Sequence, residues 1–228
     1  GVLTAPYIPR LKELGIKSVN LSLDTLNRDR FAQITRRDEL PNVLETLHEL
    51  LRHDIQVKIN AVVMEGRNTE DIIPLVELTK ELPVSVRFIE EMPFNGNGTY
   101  EGLSWDHLRI LNTIQECFPG MQKIMDAQYS TSYNYSIAGH VGTVGIIAAY
   151  TRSFCGSCNR IRITPQGMLK TCLYDDGVMN IKDLVREGYS NEALQEAITG
   201  AIKKKAKDGW EAERNRAAIN ESMAAIGG

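Results

Sequence analysis

Three cysteines stand at C-x₂-C-x₁₃-C, as Cys155, Cys158 and Cys172. Three thiols are one short of closing a four-coordinate site, and an open coordination position is what distinguishes a site that binds or transforms something from one that only staples a fold. Arg160 and Arg162 follow Cys158 at alternate positions, so both emerge on one face of the strand that leaves it. Guanidinium groups there point to an anionic ligand such as phosphate; the alternative is a pair of solvated surface arginines. The spacing leaves more than one metal chemistry open. Zinc is the commoner use of C-x₂-C and would need a fourth ligand, from His140 or Cys117. A three-thiolate [4Fe–4S] cluster with one open iron is the sharper alternative. Core thiols are a poor third choice, because Gly156 and Ser157 make a loop rather than a core. Cys117 itself, within the helical stretch 105–118, reads as a core thiol.

A second set of polar residues lies at strand ends: Ser22-Leu-Asp24, Lys58-Ile-Asn60 and Arg87-Phe-Ile-Glu90-Glu91-Met92. Ligands of parallel α/β folds bind at the C-terminal ends of strands. Residues two apart share a face, so Lys58 and Asn60 project together, as do Ser22 and Asp24. A lysine and an asparagine facing a barrel interior are costly unless paired or liganded. An exposed, solvent-facing strand is the competing explanation. His48, His53 and His107 lie on helical stretches and read as surface or core residues.

The elements that would position these residues alternate. A helix ends near Leu14, stopped by Gly15, and strands follow at 18–23, 55–63 and 84–89. Between them, the segment 42–53 places Val43, Leu44, Leu47, Leu50 and Leu51 on one helical face. Asn68 or Thr69 is expected to cap a further helix running to about Leu82. Strands separated by helices of this length imply right-handed βαβ units and a parallel sheet. After Pro93 the pattern changes: a Gly- and Asn-rich loop over 94–102, a helix, short strands around 130–137 and 144–150, and a hairpin turning at Thr164-Pro-Gln-Gly167. Helices at about 181–187 and 191–205 precede a segment, 208–228, with little apolar periodicity. The fold class is thus α/β, with a boundary expected at residue 93.

The 228 residues are 43% hydrophobic and 24% charged, enough for a buried core. A net charge of −3 argues against a general nucleic-acid surface, so phosphate recognition must be local. No apolar run approaches the ~20 residues that a membrane span needs. Four cysteines, three of them clustered, suit a reducing compartment and metal or cluster ligation rather than a disulfide framework. The basic tail 203–216 reads as a solvated helix end.

Taken together, SVNLSLD (18–24), QVKINAVV (56–63), VRFIEEMP (86–93), SFCGSCNRIRIT (153–164), GMLKTCLY (167–174) and the Gly-Gly terminus resemble the MoaA family. These are the radical S-adenosylmethionine GTP 3′,8-cyclases of molybdenum cofactor biosynthesis. The resemblance implies residues 1–93 as the C-terminal part of an incomplete (β/α)₆ barrel. Residues 94–228 would form a small α+β domain with an auxiliary [4Fe–4S] cluster and a Gly-Gly tail that reaches toward the active site. By the same resemblance Cys155, Cys158 and Cys172 hold that cluster; Lys58, Arg160, Ile161 and Arg162 bind GTP; Ser22 and Met92 contact S-adenosylmethionine. Asp24, Asn60, Arg87, Gly227 and Gly228 are further site lining.

The implied reaction converts GTP to (8S)-3′,8-cyclo-7,8-dihydroguanosine 5′-triphosphate through a deoxyadenosyl radical. In the family that radical is generated by a second [4Fe–4S] cluster on a CxxxCxxC motif, which these residues do not contain. The chain is therefore expected to lack roughly a hundred N-terminal residues, at ~30 per βα unit, and to be inactive alone. Implied partners are GTP, a reducing electron donor and, downstream, cyclic pyranopterin monophosphate synthase. No membrane or nucleic-acid partner is expected, a homodimer is allowed, and the cytoplasm is the expected location. Two other functions compete: a zinc-binding α/β module, and an auxiliary-cluster radical enzyme that matures peptides.

Overall fold

The computed structural model describes residues 1–92, 103–151, 155 and 158–215. The expected loop at 94–102, Ser153, Phe154 and the Gly227–Gly228 tail lie outside them. The chain divides into two compact units, the first Gly1–Glu91 with Leu103–Thr151. Met92 and the described residues from Cys155 onward belong to the second.

In the first unit, helix α1 (Ile8–Glu13) ends before Gly15, whose φ of +82° is the left-handed turn expected there. Strand β1 (Ser18–Ser22) follows. Helix α2 (Arg28–Thr35) has no counterpart in the sequence reading; Asn27 caps it by accepting from the Arg30 N–H. Helix α3 (Leu40–Arg52) buries Leu40, Val43, Leu47 and Leu50 on one face. Each such side chain contributes about 2 kcal/mol of apolar burial. Strand β2 (Gln56–Val63) and helix α4 (Ile72–Glu81) come next, with a short 3₁₀ turn (Thr69–Asp71) before the helix. Asn68 does not cap that turn. Its side chain accepts from the Met64 N–H and donates to the Val62 and Asp24 carbonyls.

Strand β3 (Val84–Glu90) and helix α5 (His107–Cys117) complete the expected series. Cys117 is exposed, not a core thiol, because the buried stripe of α5 runs through Ile110 and Ile114. Strands β4 (Gln122–Lys123), β5 (Tyr133–Ser136) and β6 (Thr143–Ile147) then join the same sheet, in the order β1-β2-β3-β6-β5-β4. The β1–β2, β2–β3 and β3–β6 pairings are parallel and the other two antiparallel. The boundary expected at residue 93 is corrected for 103–151: β6 pairs with β3, so these residues group with the first unit.

The strands alternate. Leu21, Val57, Ile59, Val84, Val86, Phe88, Val144 and Ile146 face the core, and Ser22, Lys58, Asn60 and Arg87 stand on the opposite face.

The second unit holds a small antiparallel sheet, β7 (Arg162–Ile163), β8 (Met168–Lys170) and β9 (Met179–Asn180). The turn between β7 and β8 is the expected one. Thr164 and Gly167 close it, and Gly167 sits at φ +92°, where a Cβ would come within 2.4 Å of Lys182 Cβ. Helices α6 (Ile181–Arg186) and α7 (Asn191–Lys203) were anticipated. Helix α8 (Gly209–Arg214) was not; the Asp208 side chain caps it by accepting from the Glu211 N–H, in a segment too short for apolar periodicity to register. No helix among the described residues is long and apolar enough to cross a membrane.

Candidate nucleotide and cluster sites

Parallel pairing builds the first candidate site. Ser22 is the register partner of Asn60, Asn60 of Arg87, Arg87 of Gly145, and Gly145 of Asn134. One polar row thus crosses five strands on the face away from the core. A second row, Asn20, Lys58, Ser85 and Thr143, runs one step before it. Gly145 leaves room in the first row: a Cβ would approach Arg87 Cγ to 3.1 Å and Asn134 Oδ1 to 3.2 Å, so those side chains would have to shift by a few tenths of an ångström. Lys58 and Asn60 are half-buried. Asn60 Oδ1 is buried and accepts no hydrogen bond, an expense that an absent ligand donor would relieve. This polar row suits a polar ligand.

Asp24 does something more structural. Its Oδ1 accepts from the Val62 N–H at 2.8 Å, tying the ends of β1 and β2. Burial pushes its carboxyl above the ordinary aspartate range, against the pull of that N–H. Glu90, fully buried at the end of β3, is a hub that the sequence reading left unused. It accepts from the backbone N–H groups of His107, Tyr150 and Thr151 and from the Thr151 hydroxyl, at 2.7–2.9 Å. His107 stacks on Tyr133 and contacts Glu90, a structural place as expected. His140, once a candidate fourth zinc ligand, has its Nδ1 2.8 Å from the Thr79 hydroxyl and lies edge-on to Phe118.

The second candidate site lies within the second unit. Cys155, Cys158 and Cys172 are half-buried, and none is in a disulfide. The Cys158 N–H donates to the Cys155 carbonyl at 3.2 Å. Cys172 is held by Asp175, whose Oδ2 accepts from the Cys172 N–H, the Thr171 N–H and the Thr171 hydroxyl at 2.7–2.9 Å. Asp175 Oδ1 accepts from the Gly177 N–H. Burial pushes the Cys172 thiol up; the Tyr174 N–H and Lys205 oppose this, while Asp175 and Cys155 add to it.

Arg162 is lowered from the usual arginine range, first by burial and then by Arg160, with Cys158 and Cys172 acting in the opposite sense. Arg162 is thus within electrostatic reach of two of the three thiols. Directly across the β7–β8 ladder stands Lys170, 1% exposed. Ile161 is 43% exposed.

Lys170 and Lys205 were missed at the sequence level. The alternation of Met168, Lys170 and Cys172 was a usable signal for the first. Lys205 had none, since it lies 47 residues from Cys158. Met92 packs with Cys172, Leu173 and Ala206 around Tyr174 and Ala212.

Among the described residues no three His, Cys, Asp or Glu side chains close around a single metal ion. A four-iron cluster ties each thiolate to a different iron and so spreads them further than one ion does. Three half-buried thiols amid cations fit that group as a donor set.

Comparison with known proteins bears on both units. Residues 84–210 match the family model described as Molybdenum Cofactor Synthesis C, and residues 1–79 match that of the Radical SAM superfamily. The chain is 37% identical over 206 residues to the Arabidopsis thaliana "GTP 3′,8-cyclase, mitochondrial", covering 90% of this chain and 53% of that protein. It is 38% identical over 206 residues to the Mus musculus "Molybdenum cofactor biosynthesis protein 1", covering 90% and 32%. A Clostridium perfringens (strain 13 / Type A) "GTP 3′,8-cyclase" is 37% identical over 210 residues, covering 90% and 63%. The chain therefore spans between about a third and two thirds of these relatives.

Proposed function

Since this chain belongs to the MoaA family of molybdenum cofactor synthesis proteins, we propose that it supplies the substrate-binding part of a radical S-adenosylmethionine GTP 3′,8-cyclase. On this reading the first unit is the C-terminal part of an incomplete (β/α)₆ barrel and the second its auxiliary-cluster domain. The single observation that carries the substrate assignment is Arg162, within reach of Cys158 and Cys172 and opposite the buried Lys170. Arginine and lysine there supply the positive charge that a triphosphate needs.

Cys155, Cys158 and Cys172 would hold a [4Fe–4S] cluster, which supplies an open iron as a Lewis-acid position for a base nitrogen or oxygen. The chain's own residues bind and orient. Arg160 and Arg162 take phosphate oxygens and Ile161 offers an apolar contact between them; Lys58, in the first unit, is proposed as a GTP-binding residue on the resemblance alone. On the polar sheet face Ser22 and Asn60 present a hydroxyl and a free carbonyl oxygen to S-adenosylmethionine, with Arg87 beside them; Met92, in the second unit, is proposed as an S-adenosylmethionine contact on the resemblance alone. Gly227 and Gly228 are proposed as site lining on the resemblance alone. The 228 residues hold no CxxxCxxC motif, so the radical-generating cluster has no ligands in them and the chain alone should form no cyclised product. An electron donor, a downstream synthase, a homodimer and a cytoplasmic setting belong to the same proposal.

The test is anaerobic reconstitution with iron and sulfide, followed by metal analysis and GTP calorimetry. The expected result is iron and sulfide in equal amounts, with GTP binding weakened about tenfold or more by Arg160→Ala, Arg162→Ala or Lys58→Ala, at roughly 1–3 kcal/mol per charge-assisted contact. Bound zinc without iron or sulfide would defeat the cluster. Unchanged GTP affinity in all three variants would defeat the substrate, and product from the chain alone would defeat the claim of inactivity.

A further inference from the structure

Lys205 follows the C-terminal end of α7, where its N–H donates to the Ile202 carbonyl. Its neighbour Ala206 packs against the Tyr174–Ala212 cluster, which also includes Cys172. These two anchors carry the ammonium back to the cysteine segment. There Nζ donates to the Cys158 carbonyl at 2.8 Å and to the Arg160 carbonyl at 3.1 Å, and it stands 3.7 Å from Cys158 Sγ. All three contacts fall on one short stretch that joins a thiol to an arginine. A solvated helix end, the role expected of this basic tail, would make none of them.

We propose that Lys205 is a positioning residue for the cysteine-bound group, clamping the Cys158–Arg160 segment and setting a fixed positive charge beside the Cys158 sulfur. This rests on the cluster reading above. Two carbonyl contacts hold this segment, so the Cys158 sulfur and the Arg160 side chain leave it from a fixed backbone. The sulfur contact acts on the bound group itself. The potential of an iron–sulfur centre depends on net charge and on hydrogen bonds to its sulfurs, and partners just outside the ligands tune affinity as well. A cation at the sulfur favours the more negative, reduced form. Removing it must lower the midpoint potential and loosen the group.

The experiment compares wild type, Lys205→Gln and Lys205→Arg, each as the full 228-residue chain reconstituted anaerobically with iron and sulfide. Three quantities are read: iron per chain after a chelator challenge, the paramagnetic spectrum of the reduced form, and the midpoint potential by redox titration. Lys205→Gln is expected to shift the midpoint downward and to lose iron faster, with Lys205→Arg restoring both. Loss of loading in the Gln variant with retention in the Arg variant would also support the assignment. A Gln variant that loads fully with an unchanged spectrum and midpoint would overturn it while leaving the cluster intact. Failure of both variants to load would overturn it too, since charge alone then does not explain the residue. If wild type takes up no iron and sulfide, the cluster falls first and this proposal with it.

Discussion

Across the sheet of the first unit, Ser22, Asn60 and Arg87 fall in one row because backbone pairing puts them there. In the second unit, Cys158 and Cys172 are held by single side chains, Lys205 from 47 residues away and Asp175 from three residues on. The first arrangement is rigid before any polar side chain is chosen. The second exists only as long as a few charged contacts survive. Substitution should therefore be costly at the ends of the sheet and in the cysteine segment, and cheap on the polar face itself.

The largest effect is expected at Glu90. Replacing it with Ala leaves the part-buried N–H groups of His107, Tyr150 and Thr151 without their acceptor, beside a fully buried side-chain position. Each buried donor left unpaired costs about 1–3 kcal/mol, so Glu90→Ala should cost about 3 kcal/mol or more in a urea titration. Glu90→Gln should recover part of this, because one carbonyl oxygen remains. A loss below about 1 kcal/mol for Ala would show that the sheet end needs no pin, and the contrast would then widen to the whole face.

Asp175→Ala comes next, at about 2 kcal/mol. It frees the Cys172 and Gly177 N–H groups and the Thr171 N–H and hydroxyl together. Iron uptake should fall in the same variant, because the backbone that aims Cys172 is released. Stability lost with full iron uptake retained would break the claim that side-chain contacts shape this segment.

These two sites also mark how far the sequence could be read. The alternation in IQVKINAVV gave both the strand and the face on which Lys58 and Asn60 lie, because strand period and register are local rules. The turn at Gly167 was legible for the same reason: a positive φ leaves a residue signature. Lys205 was not legible, since its partners Cys158 and Arg160 are set by tertiary folding; Asp175 bonds only to close sequence neighbours, in a loop with no period to mark it. The misreading of Cys117 has a related cause. A cysteine in an amphipathic helix is placed by its angle on the wheel, and Ile110 and Ile114 occupy the buried stripe. The division at residue 93 failed because β6 returns to pair with β3, and such long-range pairing writes no local pattern.

A smaller effect, about 1 kcal/mol, is expected at Asp126, which joins β5 to the segment before it. Burial tends to raise its carboxyl, but Lys123 at 2.6 Å and the Asn134 N–H and amide outweigh this and hold it below the ordinary aspartate range. A depressed folded value means the stabilisation is present above the unfolded value, about 3.9, and is lost as pH falls through the folded one. The gap between wild type and Asp126→Ala in urea should therefore be full at pH 7 and narrow below about pH 4. A gap that stays constant down to pH 2 would show that packing, not the ionised carboxylate, holds the hairpin.

The smallest effect on stability should come from Asn60, and it sharpens the contrast most. Its Oδ1 is buried without a hydrogen-bond partner, so the folded protein already bears the cost of desolvating it. Asn60→Ala removes that cost along with a few atoms of packing, and the two nearly cancel. The β1–β2 and β2–β3 ladders that position residue 60 use backbone groups alone. Urea midpoints should therefore agree to within about 0.5 kcal/mol. Binding should not be neutral: calorimetry with S-adenosylmethionine should show clear weakening, because the orphan oxygen is the acceptor the ligand would satisfy. If stability falls by about 2 kcal/mol, the polar face is as dependent on its side chains as the cysteine segment, and the distinction between the two regions dissolves. If stability and affinity are both unchanged, Asn60 faces no ligand, and its unpaired oxygen is a cost the fold tolerates without return.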